Sequence, residues 1–140
     1  MKLSEYIVLV KSDGDFINYL TEKAVFLEVL ECPKCRNNIK LNKERLQFRC
    51  IKLVSIGKKK KTRCNYILSA RKKTFFECKL SVQQIGLFVG YFLYMPQPRS
   101  TFLMEELDFS SKTVEDWSNF CREVCIEWCL QNTQKTRGSR

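Results

Sequence analysis

The stretch Cys32-Pro33-Lys34-Cys35 is followed along the chain by Cys50 and Cys64. A gap of two residues lets a tight turn bring both sulfurs onto one tetrahedral metal ion, and Cys50 and Cys64 would supply the other two ligands from the far end of a hairpin. The second pair departs from the strongest form of this pattern, because thirteen residues separate its cysteines. The chain has eight cysteines and no histidine, so a zinc site must use cysteines alone or cysteines with a carboxylate. We therefore expect one structural Zn²⁺ held by these four cysteines.

Positive charge is concentrated around these cysteines. The net charge of the 140 residues is +10, and the segment from Cys32 to Lys79 has sixteen lysines and arginines against Glu44 and Glu77. This asymmetry indicates a polyanionic partner, most simply double-stranded DNA, and the alternative is a solvated basic surface. The expected contacts to DNA in this segment are Lys58, Lys59, Lys60, Lys61, Arg63, Arg71, Lys72 and Lys73.

The run Lys58 to Lys61 lies between Cys50 and Cys64, in what we interpret as a loop inserted into the second cysteine pair. Four lysines in a row are weak evidence by themselves. They could contact phosphates, act as a nuclear import signal or form an inert loop tip.

Neither the N-terminus nor the longest apolar stretch of the sequence indicates membrane targeting. The N-terminus lacks the pattern of a signal peptide. The longest apolar stretch, Ile85 to Met95, is shorter than the roughly 20 residues that span a bilayer. We expect no membrane partner, no secretion, and a location in the nucleus of a eukaryote or otherwise in the cytoplasm. In that reducing compartment, cysteines are ligands or core residues rather than disulfides.

The hydrophobic pattern predicts an α+β fold with four parts. Residues 1–27 should contain a short helix at about 14–25, with Phe16, Ile17, Leu20, Ala24 and Leu27 at helical spacing. Residues 28–79 should form a small zinc-ribbon β-domain with a basic insert. Residues 80–131 should form a helix-turn-helix-like three-helix bundle, and residues 132–140 a disordered basic tail.

The helical part predicts a DNA-reading element. An apolar first helix ends before Pro96, a second helix runs from Thr101 to Leu107, and a third begins after a tight corner and reaches about Leu130. In the helix-turn-helix geometry, the first turn of the third helix enters the major groove. A purely structural bundle is the alternative. The residues expected near base edges are Ser111, Lys112 and Thr113.

Four cysteines lie outside the expected zinc site. Cys121, Cys125 and Cys129 recur every four residues, which could indicate a second metal site. No fourth ligand is evident, and cysteine packs well as a small hydrophobe, so we expect these three in the core. We expect Cys78 to be buried as well.

Three stretches carry a family resemblance. The first combines Cys32-Pro33-Lys34-Cys35 with Leu46-Gln47-Phe48-Arg49-Cys50, the second is Ser69-Ala70-Arg71-Lys72-Lys73-Thr74-Phe75-Phe76, and the third is Lys112-Thr113-Val114-Glu115-Asp116-Trp117. They resemble the zinc ribbon, the S-x-R-x-x-T-F-F stretch and the third helix of Merlin-superfamily transposases and related insertion-sequence (ISXO2-like) transposases. The resemblance implies binding to the terminal inverted repeats of a transposable element.

The resemblance does not extend to catalysis. In the family, a domain with three acidic residues follows this region, and no such triad can be assigned here. Glu105, Glu106 and Asp108 are poor candidates, because two-metal chemistry needs carboxylates that converge from separate strands. We therefore expect a DNA-binding protein without enzymatic activity, either a truncated or decayed transposase or a remnant retained by a host.

Two other functions stay open at this point. One is a protein-interaction zinc ribbon that acts as a transcription-type adaptor. The other is a catalytic protein whose activity depends on a separate subunit.

Overall fold

The computed structural model describes residues 1–97 and 99–137. Within them the fold is α+β, as predicted, with five helices and six short strands. The chain divides into two compact units, one made of Met1–Ile7 with Gln84–Arg140 and the other of Val8–Gln83. The elements in chain order are α1 (Leu3–Lys11), α2 (Asp13–Glu22), β1 (Val29–Glu31), β2 (Asn38–Lys40), β3 (Gln47–Arg49), β4 (Leu53–Ile56), β5 (Lys60–Arg63), β6 (Ile67–Ser69), α3 (Val82–Tyr94), α4 (Ser100–Leu107) and α5 (Ser111–Arg137).

The strands form three antiparallel two-stranded sheets, β1–β2, β3–β6 and β4–β5. Leu30 lies opposite Ile39 in the first sheet, and Phe48 lies opposite Leu68 in the second. All six strands fall within the segment predicted to be β. The third sheet corrects the prediction of an inserted loop, because the insert is a hairpin. The β-branched residues of β4 favour a strand, and Gly57 takes a positive φ of 75° at the turn.

Helix α2 contributes to the apolar core of its unit. Phe16, Ile17 and Leu20 are buried, as the periodicity predicted. The Phe76 ring lies 6.5 Å from the Phe16 ring and 5.6 Å from the Phe26 ring, measured between centroids. Phe76 is therefore a core residue.

The predicted end of this helix at about residue 25 was wrong. The helix ends at Glu22, and Ala24 adopts a left-handed φ of 59°. The N–H of Val25 donates to the carbonyl of Leu20, and the N–H of Ala24 donates to that of Thr21. These two bonds form a Schellman motif, which terminates the helix. The apolar spacing continued past this stop, and Leu27 is in fact exposed.

Helix α1 was not predicted from the sequence. In the unit that contains Met1–Ile7, the Tyr6 hydroxyl donates to the carbonyl of Gly86 at 2.9 Å. The main chain at Gly90 lies so close to the Tyr6 ring that an added Cβ would stand 2.5 Å from it. Tyr6 therefore packs against two glycines of α3.

Helices α3, α4 and α5 lie where the sequence placed them. Phe88 is completely buried, and its ring lies 6.1 Å from that of Phe109 and 6.3 Å from that of Trp117. The N–H of Thr113 donates to the Ser110 side chain at 3.2 Å, so Ser110 is the N-cap of α5.

Helix α5 is longer than predicted. It continues to Arg137, so residues 132–137 of the predicted disordered tail are helical, and residues 138–140 lie outside the described residues. No glycine or proline interrupts the sequence between Ser111 and Arg137, which explains the extension. None of the helices in the described ranges combines the length and apolar character that a membrane crossing requires.

Candidate metal centre

The structure brings the sulfurs of Cys32, Cys35, Cys50 and Cys64 within 4.8 Å of one another. The Sγ atoms of Cys32 and Cys64 are 3.6 Å apart, and those of Cys35 and Cys50 are 3.3 Å apart. These separations exclude disulfides, in which the sulfurs lie about 2.05 Å apart. They approach the roughly 3.8 Å edge of a tetrahedron with metal–sulfur bonds of about 2.3 Å. The four predicted ligands are therefore positioned to hold a metal ion.

The first cysteine turn, Cys32–Asn37, joins β1 to β2. The N–H of Cys32 donates to the carbonyl of Asn37 at 2.8 Å, and the N–H of Arg36 donates to the carbonyl of Cys32 at 2.8 Å. Arg36 has a positive φ of 59°. The chain thus reverses directly after Cys35, which turns both sulfurs toward the same point.

The second cysteine turn contains Cys50 and Cys64 and shares two of these backbone features. The N–H of Cys50 donates to the carbonyl of Tyr66 at 2.8 Å. Asn65, directly after Cys64, has a positive φ of 53°. In each turn, the residue after the second cysteine is left-handed, and the residue after that accepts a bond from the first cysteine. The thirteen-residue gap therefore leaves the cysteine geometry intact.

The β4–β5 hairpin fills that gap. The N–H of Cys64 donates to the carbonyl of Lys52 at 2.9 Å, and this bond closes the base of the hairpin. Lys52 and Cys64 therefore lie side by side although eleven residues separate them in the sequence. The hairpin projects from the second turn without displacing either cysteine.

The environment of the sulfurs favours a bound cation. Burial raises the pKa of Cys32, but backbone N–H groups of Cys35 and Lys34 and hydrogen bonds with neighbouring thiols lower it to about 7. The N–H of Asn37 lowers the pKa of Cys35, whereas burial and the other sulfurs raise it to about 12. Burial also raises the pKa of Cys64. The Cys32 thiolate forms readily, whereas the raised pKa values of Cys35 and Cys64 show that these thiols resist further negative charge, which a divalent cation would neutralise.

The predicted phosphate-binding lysines lie on the hairpin and are exposed. Lys58 and Lys59 are at the turn, and Lys60, Lys61 and Arg63 are on β5. Lys72 and Lys73 are exposed in the loop after β6. The structure thus leaves these side chains accessible to a ligand.

Arg71 is bound within the fold, unlike the exposed lysines. Its guanidinium donates to the carbonyl of Phe76 at 2.7 Å, to that of Cys78 at 2.9 Å and to that of Leu80. The Thr74 hydroxyl donates to the carbonyl of Arg71 and accepts from the N–H of Phe76. Arg71 therefore has a structural role in holding this loop, which the prediction of a phosphate contact did not include.

The three residues expected near base edges lie in the first turn of α5. Ser111 and Lys112 are exposed, whereas Thr113 is half-buried and its hydroxyl lies 2.9 Å from that of Ser110. The capping bond at Ser110 thus involves one of the three predicted contact residues.

The prediction that the other four cysteines are buried is partly wrong. Cys121 is buried as expected, and burial raises its pKa to about 11. Cys125 is half-buried, but Cys129 and Cys78 are exposed, so core packing was wrong for both. The neighbouring Trp128 and Leu130 on α5 are exposed as well, so Cys129 lies in an exposed part of this helix. Cys78 lies in a loop, where its carbonyl accepts a hydrogen bond from Arg71 and its side chain is exposed.

Comparison with known proteins identifies no relative. No protein-family model matches the chain, and neither curated proteins nor solved structures give a significant match. The function is therefore inferred from the cysteine cluster and from the charge around it.

Proposed function

We propose that the chain is a zinc-dependent module that binds double-stranded DNA. The four cysteines hold one structural Zn²⁺, and the surrounding strands form a zinc ribbon. Four thiolates and no histidine suit Zn²⁺, whose structural sites are commonly tetrahedral and all-cysteine. The metal supplies structure rather than chemistry, because four protein ligands leave no open coordination position.

The observation that carries this proposal is the exposed basic hairpin mounted on the cysteine cluster. From Arg45 to Phe76, both included, the chain has eleven lysines and arginines and no acidic residue. Six of them belong to the insert between Cys50 and Cys64, where all six side chains are exposed. A surface with one sign of charge attracts the phosphate backbone of nucleic acids.

The family resemblance supports DNA as the partner and a role without catalysis. By that resemblance, the module recognises the terminal inverted repeats of a transposable element. Helices α4 and α5, joined by Asp108–Ser110, would be the helix-turn-helix that presents Ser111, Lys112 and Thr113 to bases. A protein with this role acts in the nucleus of a eukaryote or in the cytoplasm of a bacterium.

Two measurements test the proposal together. Native mass spectrometry should find one zinc ion per chain. Fluorescence anisotropy with a labelled duplex should show binding that weakens steeply with salt, with a slope of log K against log [salt] of about −0.9 per phosphate contact. A chelator should abolish this binding. Affinity that is independent of salt would overturn the electrostatic basis of the proposal.

Charge variants refine the same experiment. Replacing Lys59 and Lys60 with alanine should weaken binding to every duplex and reduce the salt slope by about one per lysine. Changes at Lys112 or Thr113 should instead alter the preferred sequence. If the Lys112 and Thr113 variants bind all duplexes like the wild type, the bundle has a structural role only.

A second candidate is a protein-interaction zinc ribbon that acts as an adaptor. Four large apolar side chains on or beside the strands favour it, because they are more than half exposed: Ile51, Leu53, Ile56 and Ile67. Exposed apolar groups are typical of surfaces that contact proteins. This candidate predicts that a chelator abolishes capture of a protein partner while the duplex-binding assay stays negative at every salt concentration.

A further inference from the structure

The β4–β5 hairpin is an addition that the cysteine centre does not require. The first cysteine turn achieves the same backbone geometry with two residues between its cysteines. In the second turn, Ile51 and Lys52 already occupy the two positions that Pro33 and Lys34 occupy in the first. The carbonyl of Lys52 accepts a hydrogen bond from the N–H of Cys64. The eleven residues from Leu53 to Arg63 therefore contribute something other than metal ligation.

The two faces of the hairpin differ in their surroundings. Directly opposite residues share a face, so Leu53, Ser55, Lys61 and Arg63 lie on one face, and Val54 and Thr62 lie on the other with Ile56 and Lys60. In the fully described stretch from Ile51 to Arg63, Val54 alone is not exposed. We call the face with the half-buried Val54 the inner face, and the fully exposed face with Lys61 and Arg63 the outer face.

The outer face carries side chains suited to reading base edges. Arginine and lysine pair with the O6 and N7 atoms of guanine, and a serine hydroxyl can contact any base. An apolar side chain such as Leu53 can contact the methyl group of thymine. The inner face offers Lys60 and the Thr62 hydroxyl but no arginine, whereas the outer face has both Lys61 and Arg63.

We propose that the β4–β5 hairpin enters the major groove of duplex DNA and reads base edges with its outer face. This inference rests on the proposed function and deepens it, because it adds the hairpin to the helix-turn-helix as a second element that reads bases. The major groove is about 12 Å wide and admits a two-stranded β-ribbon, whose strands are about 4.8 Å apart. Lys58 and Lys59 at the turn then contact phosphates.

The decisive variant removes residues 53–63 and joins Lys52 to Cys64. It leaves Cys50-Ile51-Lys52-Cys64, which has the spacing of the first cysteine turn. This variant should still bind one zinc ion, which shows that the rest of the ribbon is folded. A preferred duplex is first selected from random sequences with the wild-type protein. Selectivity is then the ratio of affinities for that duplex and for a scrambled one.

The wild type should prefer the selected duplex by at least about 1,000-fold, and the excised variant should lose at least about 100-fold of this preference, while the proposed contacts of α5 account for the remainder. Dimethyl sulfate footprinting should show guanine N7 atoms protected by the wild type and not by the variant. Arg63→Ala should reduce selectivity by roughly 5- to 150-fold, as expected for one lost base contact. The matched control, Lys60→Ala on the inner face, should weaken both duplexes equally and leave the ratio unchanged.

The outcomes separate this inference from the proposed function. Salt-dependent duplex binding with unchanged selectivity after excision would overturn the hairpin proposal and leave the DNA-binding function standing. The same result is expected if the hairpin docks a protein instead. Binding without any preference in the wild type would also overturn it. If the zinc-loaded wild type binds no duplex even at low salt, both proposals fail.

Discussion

The strands around the cysteines and the helices α3–α5 are stabilised in different ways. The three sheets have only two strands each, and every strand is three or four residues long. A two-stranded hairpin is marginally stable alone in water. The helices instead surround buried apolar side chains, including Phe88, Ile85 and Leu103, which are completely inaccessible.

This difference predicts that only the strand region depends on the proposed metal ion for its stability. Hydrophobic burial scales with apolar area, and sheets this small bury little of it. The cysteine centre is the feature that ties the two cysteine turns to each other. We therefore expect loss of metal to unfold the strands from Val29 to Ser69 while α3–α5 keep their structure, and variants in either region to act on that region alone.

The largest effect is expected from Cys64→Ala. Removing one of four ligands should abolish zinc binding, which in zinc-finger peptides contributes about 10–16 kcal/mol to folding. Two-dimensional NMR of the zinc-loaded protein should show collapse of the resonances of the strands, with those of Phe88 and Trp117 retained. The control is Cys129→Ala, an exposed cysteine whose loss should leave the spectrum and the zinc content unchanged. A Cys64→Ala protein that keeps a full zinc ion would remove Cys64 from the ligand set.

A smaller effect is expected from Arg71→Ala. The guanidinium bonds three carbonyls, and hydrogen bonds to charged groups contribute about 1.5–3 kcal/mol each. Because Arg71 is partly exposed, we expect a loss of about 2–4 kcal/mol in total. Hydrogen exchange should accelerate in residues 70–80, and zinc should stay bound. Lys72→Ala, beside it and exposed, should change stability by less than about 0.5 kcal/mol. Equal effects of the two substitutions would contradict the structural role of Arg71.

The sequence predicted which four cysteines lie together, because a gap of two residues between cysteines is typical of a metal site. With no histidine, the choice was limited, and Cys32-Pro33-Lys34-Cys35 is a local pattern with a local geometry. Leu46, Phe48 and Cys50 alternate with polar Gln47 and Arg49, which indicates one inward face of a strand, and Phe48 and Cys50 are both buried. What the spacing could not show is that Lys52 and Cys64 are neighbours, because that depends on the pairing of β4 with β5.

Features that depend on distant partners were harder to predict. The role of Arg71 comes from carbonyls as far as nine residues away, which composition does not reveal. The end of α2 is set by a left-handed Ala24, a residue without the usual preference for that conformation. The residues of α1 include Ile7 and Val8, whose β-branched side chains do not favour a helix by themselves.

In the helical region, Gly90→Ala tests stability in the way that Arg71→Ala tests it near the strands. The new Cβ would stand 2.5 Å and 2.7 Å from ring atoms of Tyr6, so the ring must move and its bond to Gly86 weakens. We expect the unfolding free energy of the helices to fall by about 1–3 kcal/mol, while the zinc content stays unchanged. Tryptophan fluorescence during unfolding in denaturant measures this loss. Gly14→Ala in α2 is the control, because nothing lies within 4 Å of its new Cβ. A stable Gly90→Ala protein would show that the contact with Tyr6 is not needed.

The smallest effect is expected on the number of protons that zinc displaces when it binds, which should change with pH. Burial raises the pKa of Cys32, but the surrounding N–H groups and thiols lower it to about 7, so this thiol is mostly protonated at pH 6 and mostly ionised at pH 8. The N–H groups of Cys35 and Lys34 belong to the first cysteine turn itself, and we expect this local turn to persist without zinc even where the strands lose their pairing. Zinc binds the thiolate, and binding at pH 8 should therefore release about one proton fewer than binding at pH 6. Affinity should fall as the pH falls, because each protonated ligand must first lose its proton.

Calorimetry in buffers of different ionisation enthalpy measures this count. Cys121→Ala is the matched control from the helical region. Burial raises the pKa of Cys121 to about 11, so it stays protonated throughout this range and contributes no proton to the count. Proton release that is the same at pH 6 and pH 8 would mean that the first cysteine turn does not stabilise the Cys32 thiolate before zinc binds. The local backbone bonds of that turn would then form only together with the metal centre.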